Sequence, residues 1–161
     1  MPQIKYKTLL ILILFFCFFA LIAAYFIQYV LGHQPCNLCL IERIPYVFSI
    51  IIILICLFFN KFEKISLVIL SLTFFSATLI AFYHFGIEQG FIKESLVCNL
   101  NDTSINLSKE ALLNQLKEMP VSCKNVTFKI LGLSLATFNV FISLILGAIT
   151  MKISLNYEKN K

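Results

Sequence analysis

Tryptophan is absent from this chain, and charged residues make up only 13% of it, about half the share found in ordinary soluble domains. Glycine occurs 5 times and proline 4 times in 161 residues, so no glycine-rich phosphate loop and no proline-rich linker divides the chain. There is no dinucleotide-binding fingerprint and no haem attachment motif, which removes the commonest soluble redox cofactors. No second CxxC follows the one at Cys36 and Cys39, and His33 is the only histidine in that stretch; a zinc site of the usual spacing is therefore disfavoured, and no metal is expected. No arginine-rich or aromatic-interleaved basic patch is present, which argues against a nucleic-acid partner.

What fills the chain is apolar: 60% hydrophobic residues, 17 of them phenylalanine. A bilayer core of about 30 Å needs roughly 20 apolar residues per helix. Four stretches approach that length, at about 8–27, 40–59, 65–83 and 130–151. They predict an all-α fold: a polytopic membrane protein forming one domain, a four-helix transmembrane bundle over residues 1–161. Lys5 and Lys7 before the first run resemble a signal peptide, but a signal core is about 7–15 residues; the first span is expected to be a retained anchor. Four spans put both termini on one side. Seven lysines and two glutamates flank that side, and six basic with six acidic residues occupy the other, so the positive-inside rule places the termini in the cytoplasm. The net charge of +5 therefore reports topology.

The far side then carries two external loops, at about 28–39 and 88–129, and these hold four of the six cysteines: Cys36, Cys39, Cys98 and Cys123. An even set on an oxidising face suits disulfide chemistry. Cys17 and Cys56 fall in mid-span, where a thiol behaves as a small hydrophobe. In the long loop, Leu112, Leu113, Leu116 and Met119 recur at helical spacing, predicting a short amphipathic helix over 108–119, capped by Ser108 and stopped before Pro120. Asn-x-Ser/Thr triplets begin at Asn101, Asn106 and Asn125; in so Asn-rich a loop, chance explains them better than glycosylation.

Pro35 suits a helix start, which would put Cys36 and Cys39 in a first turn whose free amides and dipole favour a thiolate. Arg43 lies one turn beyond Cys39, where a guanidinium can hold a thiolate or a ligand oxygen; snorkelling at a span end is the structural alternative for Arg43 and Glu42. Pro45 is expected to kink the second span. His84 stands at the exit of the third span, on the same face as the CxxC, where it could donate to a reduced ligand or simply bond a carbonyl at the interface. Taken alone, Cys98 and Cys123 read as a structural staple; paired with a helix-start CxxC on the same face they permit exchange between two dithiols. Such a relay needs a terminal acceptor, and at membrane depth a quinone is the natural candidate.

The ordered set ProCysAsnLeuCys at 35–39, GluArg at 42–43, TyrHisPheGlyIleGlu at 83–88, the pair Cys98 and Cys123, and LeuGlyLeuSer at 131–134 resembles the bacterial disulfide bond formation protein B (DsbB) family. The likeness runs from about His33 to Phe141. It implies an enzyme of the bacterial inner membrane that reoxidises a periplasmic thioredoxin-like thiol oxidase of the DsbA type, using ubiquinone or menaquinone as acceptor. By the same resemblance Cys98 takes the mixed disulfide with the partner, Cys123 resolves it, Cys36 exchanges with the loop pair, Cys39 meets the quinone, and Arg43 holds a quinone oxygen with His84 beside it. With no tryptophan, aromatic contacts fall to Phe and Tyr. The vitamin K epoxide reductase-like enzymes place their loop pair before the CxxC, the reverse of the order here. A non-enzymatic four-span scaffold with disulfide-stapled loops is the alternative of a different class.

Overall fold

The computed structural model describes residues 3–59, 63–93, 98, 123, 129–130 and 133–159. The amphipathic helix expected at 108–119 and the three Asn-x-Ser/Thr triplets lie outside the described residues. Helix α1 spans Gln3–Tyr29, α2 Asn37–Ile41, α3 Ile44–Phe58 and α4 Glu63–Glu88; strands β1 (Lys129–Ile130) and β2 (Leu133–Ser134) precede α5, Leu135–Lys159. Four segments, Lys7–Tyr29, Asn37–Phe58, Lys64–Glu88 and Leu135–Asn156, are long and apolar enough to cross a membrane, and the protein is an all-α four-helix membrane bundle.

The buried positions follow helical periodicity. In α4, Leu67, Leu70, Ser71, Phe74, Ala77, Ala81 and His84 recur every three or four residues along one buried face. In α3 the same stripe is Tyr46, Ser49, Ile50, Ile53 and Cys56. The outside is as apolar as the core: Phe15, Phe19, Leu72, Leu79 and Ile145 face outward, while Ser49, Ser71, Ser143 and Thr150 are buried among Leu, Ile and Phe. Lipid replaces water outside, so buried hydroxyls find partners inside, except Ser49, whose Oγ has none among the described residues. Thr150 donates to the Leu146 carbonyl at 2.8 Å, and Ser71 to the Gly147 carbonyl at 3.4 Å across the α4–α5 contact. Cys17 and Cys56 form no disulfide and pack in this core with Leu10, Ile53 and Phe74.

Neighbouring helices pack in sequence, α1 on α3, α3 on α4 and α4 on α5, the last pair most extensively. The second span is broken. Pro45 has no amide hydrogen, and its ring excludes the carbonyl of residue 41, so α2 ends at Ile41 and a new helix starts at Ile44 with Pro45 in its first turn. The expected kink is thus a full interruption at Glu42 and Arg43. The third span runs to Glu88, five residues past the expected end. It closes on a Schellman motif: Phe91 N–H donates to the Gly86 carbonyl (2.9 Å), Gly90 N–H to the Ile87 carbonyl (3.0 Å), and Gly90 sits at φ 76°. Gly86 has no side chain because the Ile92 side chain folds over it; an added Cβ would meet Ile92 Cδ1 at 2.7 Å. The fourth span begins at Leu135, later than 130, because Lys129 pairs with Ser134 and Ile130 with Leu133 in a short antiparallel ladder. Ser134 then caps α5, its hydroxyl accepting from Thr137 N at 3.2 Å.

Gly90→Ala forces a Cβ into the left-handed region and is expected to destabilise the end of α4 by about 1–2 kcal/mol. Thermal melting of the detergent-solubilised protein by circular dichroism checks this; an unchanged midpoint would mean that the helix end is held otherwise.

Candidate active site

The site lies at one end of the bundle, where α1 and α4 end and α2 and α5 begin. Pro35 precedes an extended Cys36 (ψ 167°), which is the N-cap of α2 and not a first-turn residue: its sulfur accepts from Cys39 N–H at 3.3 Å. The two sulfurs lie 2.9 Å apart as free thiols, Cys36 buried and Cys39 partly exposed. Cys98 and Cys123 are joined in a disulfide. Both are buried in one cluster with Cys36, Leu38 and Ile87, against which Cys39 and Tyr83 pack. The fold therefore brings all four loop cysteines together.

His84 is buried rather than interfacial, because α4 continues past it. Its Nε2 lies 3.5 Å from Cys36 Sγ and 3.7 Å from Glu88 Oε1, and its Nδ1 lies 2.7 Å from Glu42 Oε1. With the Glu42 carboxylate at Nδ1, the proton there is fixed and Nε2 is turned toward the thiol. The second Glu42 oxygen accepts from Asn139 Nδ2 at 2.8 Å, and Asn139 Oδ1 accepts from Tyr46 (2.5 Å) and Ser143 (3.2 Å). Glu88 accepts from Ser134. Glu42 is thus no snorkelling span marker: it is 8% exposed and joined to α4 and α5.

Arg43 is one residue past Glu42, and the partners of its guanidinium lie on α1 rather than at Cys39, to which the sequence spacing pointed. Its Nη1 donates to Gln28 Oε1 at 2.6 Å, and its guanidinium lies 4.9 Å over the Tyr25 ring, both on α1. Cys39, Arg43 and His84 nonetheless line one cavity of about 380 Å³, together with Cys36, Cys123, Glu42 and Glu88. Its walls are apolar, with Phe16, Phe19, Ala20, Ala23, Ala24 and Ile27 from α1 facing Ala136, Phe138 and Ile142 from α5. The chamber thus combines mostly apolar walls with thiols, an imidazole, a guanidinium and two carboxyl groups, the pattern of a small-molecule site.

The Cys36 thiol is drawn down to a pKa of about 4 from the ordinary value near 9: the hydrogen bond from Cys39 outweighs burial, and His84 adds to it. The site thus holds a thiolate ready for exchange at neutral pH. Glu42, Glu88, Asn139 and Tyr46 were not singled out as site residues from sequence. GluArg at 42–43 and the Glu88 that ends TyrHisPheGlyIleGlu were the available signals, and the first reads equally well as a span boundary.

Four membrane-crossing helices around a buried CxxC, a neighbouring disulfide and an apolar chamber define a polytopic membrane protein with a thiol redox centre. The chain belongs to the DsbB family: the family model described as "Disulfide bond formation protein DsbB" matches residues 6–153. It is also 29% identical over 147 residues, 88% of this chain and 84% of the relative, to an uncharacterized protein, RP370, of Rickettsia prowazekii (strain Madrid E). Family membership makes it a thiol oxidoreductase of disulfide bond formation working by redox relay.

Two measurements follow from the geometry. Ultraviolet thiolate absorbance of the reduced protein should include one thiolate that is present at neutral pH and lost as pH falls through about 4, and Cys36→Ser should remove it. Loss of that absorbance only near pH 9 would contradict the assignment. Asn139→Leu leaves a Glu42 oxygen buried without its donor and is expected to destabilise by about 1–3 kcal/mol, read as a lowered thermal midpoint.

Proposed function

We propose that this protein reoxidises a periplasmic thioredoxin-like thiol oxidase of the DsbA type and passes the electrons to a membrane quinone, sustaining disulfide bond formation. The observation that carries this reading is the single chamber on which Cys39, Cys36, Cys123, Arg43 and His84 converge, with the Cys98–Cys123 disulfide buried beside it. Orientation by the positive-inside rule puts that chamber at the periplasmic face of the bacterial inner membrane and both termini in the cytoplasm.

The partner's thiolate attacks Cys98, Cys123 leaves as a thiolate, and the partner's second thiol displaces Cys98. The partner is oxidised to its disulfide, and Cys98 and Cys123 hold two electrons and two protons. A thiolate of that pair then attacks the Cys36–Cys39 disulfide, restoring Cys98–Cys123 and leaving Cys36 and Cys39 reduced. Cys39 is the more exposed of the two sulfurs and faces the chamber, which suits it to hand the pair onward. A quinone bound there would supply a two-electron, two-proton acceptor, leaving as quinol. His84, held by Glu42, stabilises the Cys36 thiolate and stands within reach of the transferred proton; Arg43, held by Gln28, presents its remaining N–H groups to an acceptor oxygen. A DsbA-type partner is a strong oxidant at about −120 mV, so its reoxidation needs a more oxidising sink than solvent thiols. A stapled scaffold would need neither a free buried CxxC nor a polar-ended chamber beside it.

Purified protein mixed with a reduced thioredoxin-like oxidase and a soluble quinone should consume the quinone, and Cys39→Ser and Cys98→Ser should each reduce consumption to background. No consumption, with disulfides indifferent to mild reductant, would favour the scaffold. Arg43→Met removes a charged donor that contributes about 1.5–3 kcal/mol, so the KM for quinone should rise at least about tenfold, with a smaller effect on the KM for the partner. Equal effects on both would argue against a role at the quinone.

A further inference from the structure

Spacing along the chain denied the CxxC the additional donors that a metal site needs, but the fold supplies one. Cys36 Sγ, Cys39 Sγ and a His84 ring nitrogen all lie within 4.8 Å of one another, and two of the three residues are buried. We infer that the reduced Cys36/Cys39 dithiol and His84 form a three-donor site for a thiophilic divalent cation of the zinc type.

Two soft sulfurs and one imidazole are the donor set that zinc takes in sites with a fourth, open position. Around a tetrahedral zinc with bonds of about 2.0–2.3 Å, neighbouring donors stand roughly 3.5–3.8 Å apart. The 3.5 Å from Cys36 Sγ to His84 Nε2 already meets this. The sulfurs, at 2.9 Å, must part by about an ångström, a movement open to the partly exposed Cys39. The outer partners also match. Glu42 Oε1, 2.7 Å from Nδ1, forms the carboxylate–histidine pair that fixes a ligating ring and raises its basicity. Cys39 N–H already donates to Cys36 Sγ, a bond that stabilises a metal-bound thiolate. Charge favours a cation: two buried carboxylates, Glu42 and Glu88, flank one imidazole, and the only arginine is tied to Gln28 and Tyr25. The fourth position faces the cavity, where water or Glu88 Oε1, 3.7 Å from Nε2, can complete the shell.

Binding forms two metal–sulfur bonds, one to the Cys36 thiolate and one to Cys39, whose S–H bond breaks and whose proton is released, with no change in oxidation state. The Cys36–Cys39 disulfide has no thiolate to offer, so only the reduced form binds. A bound cation therefore locks the dithiol reduced; its effect on turnover rests on the relay proposed above, whereas the site itself does not.

Cobalt(II) is the probe: the full-length protein, reduced and freed of metal in detergent, is titrated with it and read by absorbance. One equivalent should give thiolate-to-cobalt charge transfer and the visible bands of a tetrahedral ion, both displaced by zinc. Cys36→Ser and Cys39→Ser should abolish the charge transfer, Glu42→Gln should weaken binding roughly 10–100-fold, and the Cys17→Ser/Cys56→Ser double variant should bind as the parent does. In the unaltered protein, zinc should protect Cys36 and Cys39 from maleimide, read by mass spectrometry, so the test does not depend on a variant folding. Absent bands, bands that survive Cys36→Ser or occur in the oxidised protein, or no protection would each overturn the site. Thiol oxidation assayed with a chelator present separates the readings: activity without cobalt binding sinks only the metal site, and cobalt binding without activity sinks only the relay.

Discussion

A buried carboxyl group at the end of an apolar bundle is tolerable only when both of its oxygens are bonded, and Glu42 meets that condition by reaching two other helices. One oxygen is at His84 of α4 and the other takes the amide of Asn139 on α5. Removing either partner leaves a charge with nothing to replace the lost water. The break between α2 and α3 at residues 42 and 43 is what lets Glu42 reach inward while Arg43 reaches α1. Through these contacts one helix interruption ties together all four spans at the end that carries the cysteines.

The chemistry depends on this junction. His84 stands 3.5 Å from the Cys36 sulfur because Glu42 holds the far side of its ring, and α4 delivers it because the helix runs on to a glycine cap. Asn139 is itself held by Tyr46 and Ser143, so the order extends down the bundle from the thiols. Lipid-facing phenylalanines and a polar interior are two consequences of one constraint: hydrocarbon accepts no hydrogen bonds, so polar groups collect where they find each other. The chamber lined by α1 and α5 brings small and aromatic side chains together with thiols, an imidazole and a guanidinium.

Much of this was legible in the sequence because its signals are local. Four largely apolar runs of about twenty residues can be little else than spans. A CxxC behind Pro35 marks a helix start, and four cysteines on one face announce thiol exchange. Cys36, Cys39, Cys98, Cys123, Arg43 and His84 could all be named from type and spacing, and all six lie at the same end of the bundle. Helix ends were less exact, since the third span's end depends on Gly90 adopting a positive φ and the fourth span's start on a two-residue ladder.

The partners of those residues are a different matter. Glu42 and His84 are 42 positions apart, and Glu42 and Asn139 are 97 apart; no periodicity links them, because their meeting is decided by which helices pack and at what height. The same holds for Arg43, whose partner Gln28 lies 15 positions away on α1 and is met only because α1 packs on α3. Composition and spacing alone determined the four spans and named the candidate cysteines, since each follows from the chemistry of contiguous segments. Tertiary structure alone decided that His84 is a buried companion of Cys36 and that the cysteines share a chamber, because burial and proximity are properties of packed helices and not of any one of them.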